Sequence, residues 1–596
     1  MKKRVADYIA DFLADNGITQ LFSVVGGGAM HLNNAFGTNK RLNIIYNHHE
    51  QASAIAAEGY SRIDNKIAAV CVTSGPGGTN ALTGVLCAWQ DSLPMIIISG
   101  QVRSDITVES TGLDLRQFGE QEYYIIRSVA PMTKYAVTVN DANMIKYHLE
   151  KALYLTMHGR KGPVWIDVPL NIQGAVIETD DLPEFILEND TLPSDEIISK
   201  MISMIHDSKR PLIIAGSGIR TSNSLKALEN LSEKLNIPII TPTSTVDYFN
   251  SDHDNYYGMF GTVGGRCGNF LVQNADLLIC LGARMSFKQI GFNYQKFSPD
   301  SKKIVVDADS EELKKPTIKI DLSVCGDVSD VMGKLSDANL DSEKSDKREW
   351  ISYCKFIKSK YSIEKRNFSE NISAYRFGEV FFNKAESDVI AVLGNNCAAV
   401  SLLQLGIKKQ GQRMFGNVNC GTMGYDLPAS IGAATAAGRS VCCLTGDGSF
   451  QMNIQELQTI VHNKLPVKIV IFNNSAYQAI VQTQTYFFSG VLSGCTGESG
   501  VSFPSFEKIA NAYGFPFRKI ERTSEIESAV DWLFCEESYC ILEIVQNESD
   551  PIIPKLSSKK LADGGMVSPP IDDLFPFLPE DEYKAAKFEN FAGGLI

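Results

Sequence analysis

An aspartate and an asparagine stand at the carboxyl ends of two apolar runs. SVCCLTGDG (440–448) closes on a Gly-Asp-Gly turn around Asp447, and VKIVIFNN (467–474) closes on Asn474. In an open parallel sheet, ligands bind beyond the carboxyl ends of the strands. Gly446 and Gly448 let the backbone approach a phosphate while Asp447 points outward. Ser449 opens a segment, SFQMNIQELQTIVHN, with Phe450, Ile454, Leu457 and Ile460 at helical spacing. The start of such a helix offers free N–H groups and partial positive charge to a diphosphate. A hard cation of the magnesium kind takes oxygen ligands and shares substrate phosphates. The Asp447 carboxylate, the Asn474 amide oxygen and one backbone carbonyl would supply the protein's ligands. Either motif alone reads as a turn or a loop start; the two together point to a metal–diphosphate site.

A second carboxylate lies in YNHHEQASAIAAEGYSRI (46–63). Glu50 falls between a strand end and an Ala-rich helix, with few charged neighbours apart from His48 and His49. A desolvated carboxylate keeps its proton more readily, which suits a proton donor near neutral pH. The plain alternative is a glutamate complementing a helix dipole.

These residues need a scaffold of strands and helices. Apolar runs at 21–25, 42–46, 68–72, 95–99 and 164–168 alternate with helical patterns in a block spanning 1–172. A second block, 197–335, repeats the pattern with runs at 211–218, 237–241, 277–282 and 303–309. A third, 372–550, has runs at 388–396, 440–448, 467–474 and 539–545. Such alternation predicts an α/β fold of three doubly wound parallel-sheet domains. An acidic stretch at 178–196 reads as a linker, and a charged stretch at 337–350 as a second linker entering a helix. The tail, 551–596, has several Pro and Phe and reads as a strap or a lid.

At 596 residues the chain exceeds one hydrophobic core. A formal net charge of −13 argues against nucleic acid or an anionic membrane as partner. The 13 Cys include no C-x-x-C, so reduced thiols in a cytoplasm are expected. Asp7, Asp11 and Asp15 interrupt the N-terminal segment as a signal peptide, and Val5, Ile9, Phe12 and Leu13 trace a helix face instead. The longest apolar runs are strand-sized, too short to span a bilayer.

The GDGSF…FNN pattern resembles the signature of the thiamine-diphosphate-dependent enzymes, in their acetolactate synthase-like branch. The resemblance covers nearly the whole chain and implies pyrimidine-binding, central and diphosphate-binding domains in that order. It implies that Asp447, Asn474 and the carbonyl of Ala476 bind Mg²⁺. HHEQAS is similar to the segment whose glutamate hydrogen-bonds the cofactor's aminopyrimidine, which makes Glu50 the activating acid. CVTSGPGGTN (71–80) resembles another family segment, its glycines admitting backbone to the cofactor. CGTMGYDLPASIGAA (420–434) resembles a third. There the Gly421 carbonyl accepts from the aminopyrimidine and Met423 is the wedge that bends the cofactor. Gln121, in RQFGEQEYY, falls where the family places an active-site glutamine. The resemblance also implies a homodimer or homotetramer, with glutamate and diphosphate contributed by different subunits.

The chain departs from acetolactate synthases where the second substrate sits. Leu170 replaces a lysine after VWIDVP, Lys288 an arginine in GARMSFK, and Thr483 a tryptophan beyond the metal-site asparagine. Losing a tryptophan gives room and removes a stacking face. The expected reaction is decarboxylation of a 2-keto acid, pyruvate foremost, with carboligation to a carbonyl acceptor. Alternatives are acetyl transfer to a nucleotide-linked ketosugar, suggested by 490–510, and simple decarboxylation. A non-catalytic cofactor-binding regulator is the alternative of another class. For FAD, GSGIR (216–220) and Arg160 are compatible, while the altered GAR stretch and TPTSTVDYF (241–249) are not the usual pattern. A dinucleotide oxidoreductase is weaker still, since GSGIR lacks the full G-x-G-x-x-G.

Overall fold

Runs of Val, Ile, Leu and Cys that are apolar on both faces can be satisfied only inside a sheet covered on both sides. The computed structural model, which describes residues 1–187, 192–338, 346–361, 371–546, 551–560 and 565–591, contains three such sheets. Each has six parallel strands. The first runs, in spatial order, Asn43–Tyr46, Gln20–Ser23, Ala69–Val72, Met95–Gln101, Pro163–Pro169 and Tyr135–Thr138. The third repeats that order with Arg413–Gly416, Ile390–Leu393, Val441–Gly446, Val467–Asn473, Cys540–Val545 and Phe517–Ile520. The second runs Tyr256–Met259, Ile239–Thr241, Pro211–Ala215, Leu277–Leu281, Lys302–Asp307 and Leu322–Cys325.

In each sheet the chain reverses its winding direction beside the first strand. A crevice opens at that point, where two neighbouring connections leave on opposite faces. In the third sheet it lies between the ends of Ile390–Leu393 and Val441–Gly446. In the second it lies between Pro211–Ala215 and Leu277–Leu281.

The first and third sheets share one hydrophobic core, running from Phe22 and Val70 through Leu427 and Ile431 to Ile469. Two helices of small residues, Glu50–Asp64 and Asp426–Ala437, make the junction. Their backbones approach so closely that a Cβ on Gly59 would lie 2.3 Å from the Ala429 carbonyl oxygen. This packing fixes the start of the Glu50 helix relative to the third sheet.

A buried charge cluster spans the same junction. Arg62 pairs with Glu58 and Asp91, Tyr425 Oη donates to Glu58 at 2.6 Å, and Asn419 Nδ2 donates to Asp91.

The N-terminal helix is Val5–Asp15, with Val5, Ile9 and Leu13 buried. The tail behaves as a strap over its described residues. Ile571, Leu574 and Ala586 are buried, Asn269 Nδ2 donates to the Ile571 carbonyl at 2.7 Å, and Tyr353 Oη donates to that of Ala586 at 2.8 Å. Of the expected linkers, 188–191 and 339–345 lie outside the described residues. One expectation is corrected: the segment after Ser449 is not one helix but two, Asp447–Met452 and Glu456–Asn463. Asn453 breaks it, because its side-chain amide turns away to the Gly424 carbonyl (2.6 Å) and to Gln51 (3.3 Å).

Candidate active site

Asp447 leaves the end of strand Val441–Gly446 and is buried. Its Oδ2 accepts from the Asn474 backbone N–H at 3.1 Å and its Oδ1 from Gly448 N at 2.7 Å. The strand pair Val441–Gly446 and Val467–Asn473 thus delivers both proposed metal ligands to one place. Burial pushes the Asp447 carboxyl up to about 6, while N–H groups of Gly448, Asn474, Ser475 and Ala476 pull the other way. A carboxylate destabilised by burial gains from a cation beside it. Asn474 Oδ1 accepts from Ala476 N at 3.2 Å, a tight turn that passes through Ser475 at φ +55°. Ala476 is buried and bridges to Thr496.

Across the crevice, at the start of helix Cys397–Leu405, Asn396 presents a residue that sequence reasoning missed. Its Oδ1 caps that helix through Ala399 N, and its Nδ2 is buried with no hydrogen-bond partner among the described residues. A Cβ on Gly446 would lie 3.1 Å from the Asn396 Cβ, so this amide sits beside the Gly-Asp-Gly turn. An orphaned buried donor next to a carboxylate and an asparagine fits a cation carrying an anionic oxygen ligand. The oxygen donor set of Asp447, Asn474 and the Ala476 carbonyl fits magnesium and a diphosphate. The second Asn-Asn pair, in LGNN at 393–396, was the available signal.

Met423 and Tyr477 close over Gly448. A Cβ there would lie 2.2 Å from Tyr477 Cε1 and 3.0 Å from Met423 Cε, so only glycine fits. Gly421, at φ +67°, carries a carbonyl that already accepts from Asn395 Nδ2. A carbonyl has a second lone pair to offer. Ser449 turns inward: its Oγ accepts from Gly424 N at 2.8 Å, which leaves its backbone rather than its hydroxyl for a ligand.

Glu50 begins helix Glu50–Asp64 and is half-exposed in the single chain rather than desolvated. Its Oε2 accepts from Asn80 Nδ2 at 3.0 Å, and a Cβ on Gly77 would lie 3.7 Å from its Oε1. Gln121 is exposed at φ +59°, its carbonyl oxygen 2.4 Å from where a Cβ on Gly75 would be. The Glu50 carboxylate and the Gln121 backbone carbonyl therefore both lie beside the glycines at the start of helix Pro76–Asp91, which follows Ala69–Val72. Buried Glu456, also missed, positions the approach to Glu50: it accepts from Asn47 Nδ2 (2.9 Å) and from His48 N (3.0 Å). Gln51, the neighbour of Glu50, meets Asn453, six residues after Asp447.

The second sheet's crevice is lined by Ser217, Gly218, Gly282, Ala283, Arg284 and Asp327. Arg160, which also reaches it, is held by Asp309 and Glu312. Lys288 donates to the Val418 carbonyl, and Thr483 turns its hydroxyl onto the Ala479 carbonyl at 2.9 Å.

Three α/β units stand in this order, with a buried acid and an asparagine at adjacent strand ends of the last. The sequence matches three family profiles in succession: "Thiamine pyrophosphate enzyme, N-terminal TPP binding domain" at 3–120, "central domain" at 198–335 and "C-terminal TPP binding domain" at 393–544. It is 31% identical over 575 residues to an acetolactate synthase large subunit of Buchnera aphidicola subsp. Schizaphis graminum, covering 94% of this chain and 97% of that protein. It is 29% identical over 555 residues to the acetolactate synthase isozyme 1 large subunit of Escherichia coli K12, covering 92% and 95%. It is 31% identical over 571 residues to a probable acetolactate synthase large subunit of Methanocaldococcus jannaschii, covering 92% and 93%. The chain belongs to the thiamine pyrophosphate enzyme family, in its acetolactate synthase-like branch. No helix among the described residues is long and apolar enough to cross a membrane.

Proposed function

We propose that the protein decarboxylates a 2-keto acid, pyruvate foremost, and joins the remaining two-carbon unit to a carbonyl acceptor. The observation that carries this reading is the crevice where Asp447, Asn474 and Asn396 Nδ2, which has no partner among the described residues, converge. Thiamine diphosphate, when bound, supplies the nucleophilic carbon and the electron sink for loss of CO₂. Asp447, Asn474 and the Ala476 carbonyl would hold Mg²⁺ at the diphosphate end, and Asn396 Nδ2 would donate to the diphosphate. The backbones of Gly446, Gly448 and Ser449 line the same end. The Gly421 carbonyl and Met423 orient the pyrimidine end. Glu50 holds a proton at the aminopyrimidine ring, and Gln121 orients the reacting carbonyl.

Acetolactate synthase relatives support pyruvate as donor and a transferase activity. A bulkier acceptor, such as a nucleotide-linked ketosugar, is supported by Thr483, whose small side chain folds back on its own helix. A homodimer or homotetramer with sites between subunits is supported by half-exposed Glu50 and by apolar side chains left in solvent on both halves. These include Val25, Met30 and Tyr46 on the first, and Met452, Ile480 and Phe487 on the third. The crevice of the second sheet supports FAD, whose presence the visible spectrum of purified protein reads. Thirteen free cysteines support a reducing cytoplasm.

The test is incubation with thiamine diphosphate, Mg²⁺ and pyruvate, alone and with keto acid or ketosugar acceptors, followed by product masses. Acetolactate or an acetylated sugar is the expected outcome. Acetaldehyde alone would make the enzyme a simple decarboxylase, and absence of CO₂ release across all donors would leave a cofactor-binding regulator.

A further inference from the structure

Two thiols meet at the junction of the first and third sheets, one residue before Gly421. Cys87 is buried near the end of helix Pro76–Asp91. Cys420 is half-buried in the loop between strand Arg413–Gly416 and helix Asp426–Ala437. Cys87 Sγ lies 3.4 Å from Thr422 Oγ1, and that hydroxyl donates to Cys420 Sγ at 3.1 Å. The Thr422 hydroxyl thus bridges the two sulfurs. The two residues are far apart in sequence, and each belongs to a different sheet. The loop of Cys420 carries Gly421 and Met423, the residues proposed to seat the cofactor's pyrimidine end.

We propose that Cys87 and Cys420 are a reversible disulfide site, closed by a peroxide, that ties helix Pro76–Asp91 to the cofactor-seating loop.

The two sulfurs are chemically unequal. Cys420 is half-buried and Cys87 buried; the neighbouring Cys87 thiol is the largest influence on Cys420 and holds its thiol down to about 6, while the Cys420 sulfur raises that of Cys87. Asp91 and Glu58 face Cys420 and oppose its ionisation, and Lys288 lies on the same side. Cys420 is thus the attacking thiolate and Cys87 the resolving thiol. The Cys420 sulfur attacks one peroxide oxygen; the O–O bond breaks and the departing oxygen leaves, after protonation, as water. The Cys87 sulfur then attacks the resulting sulfenic sulfur; the S–S bond forms, the S–O bond breaks, and the second water carries off the Cys87 proton. Two thiols lose two electrons and one peroxide becomes two waters. The S–S distance contracts to about 2.05 Å, which draws the loop of Gly421 toward the helix. Intracellular disulfides of this kind are transient and redox-sensing.

The experiment treats full-length protein with a small excess of hydrogen peroxide, alkylates remaining thiols and maps peptides by mass. The expected result is a Cys87–Cys420 linked pair lighter by two hydrogens and released by dithiothreitol. Thiamine diphosphate affinity, measured with Mg²⁺, should shift about tenfold on oxidation and return on reduction. In Cys87→Ser the link is absent and Cys420 proceeds to sulfinic acid. Wild-type protein in which Cys420 is over-oxidised while Cys87 stays alkylatable would overturn the site. A linked protein with unchanged cofactor affinity would overturn its coupling to the loop. The wild-type map decides the first point even should Cys87→Ser fold poorly.

Discussion

Gly432 and Ala56 touch backbone to backbone: a Cβ on Gly432 would lie 1.8 Å from the Ala56 carbonyl oxygen. The contact lies in the helix pair that joins the first and third sheets, and through it the segment bearing Glu50 is held against the unit bearing Asp447. Gly432→Ala should therefore force the helices apart, since the obstructing atom is backbone and cannot rotate away. A loss of about 1–3 kcal/mol is expected from denaturant unfolding, as for other overpacked cores. Unchanged stability would mean that the two helices are not in contact as described.

Arg62 holds two acids, Glu58 and Asp91, in the same junction, with side-chain exposures of 12%, 0% and 5%. Removing one partner of a buried charge cluster strands the others. Arg62→Met should cost about 3–5 kcal/mol, whereas a surface pair would cost under about 1. The comparison with Arg103→Met, whose partner Asp105 is exposed, reads the difference directly.

Asp167 is buried beneath Ser99, Gln101 and Thr138, and burial raises its carboxyl to about 7. The folded state therefore binds this proton more tightly than the unfolded chain does. Its contribution to stability is fully present below about pH 4 and is lost as pH rises toward 7, by about 1.4 kcal/mol per pH unit within that window. Asp167→Asn has no such proton to lose. Its stability relative to wild type should rise between pH 4 and 7, and a pH-independent difference would show that Asp167 is ionised throughout.

Glu50→Gln keeps the shape and the bond to Asn80 but cannot hold a proton at the aminopyrimidine. Thiamine diphosphate affinity should stay within about threefold, while turnover falls about 10²–10³-fold. Loss of affinity with turnover per bound cofactor unchanged would reassign Glu50 to binding alone.

The sheet interiors were legible, and of the six edges only Asn43–Tyr46 was. Runs such as LLICL and VKIVIF stand out because their strands are buried on both faces. The strands without a clear run are Tyr135–Thr138, Tyr256–Met259, Leu322–Cys325, Arg413–Gly416 and Phe517–Ile520, and all five lie at sheet edges, where one side of the ladder is open. Asp447 and Asn474 were readable because each motif sits within a few residues of its strand end. Asn396 and Glu456 were not, since their meaning depends on neighbours in other segments: Gly446 for one, Asn47 and His48 for the other. The Arg62 cluster and the Cys87–Cys420 contact were invisible for the same reason.

The central claim is that a cation held by Asp447 and Asn474 clamps the cofactor's diphosphate, and calorimetric titration of thiamine diphosphate tests it most directly. With Mg²⁺ present, binding should saturate near one cofactor per chain. Chelation by EDTA, or Asp447→Ala with Mg²⁺ retained, should weaken it by more than about 100-fold, on the order of 3 kcal/mol. Equal affinity with and without the cation, and with and without the Asp447 carboxylate, would contradict the account.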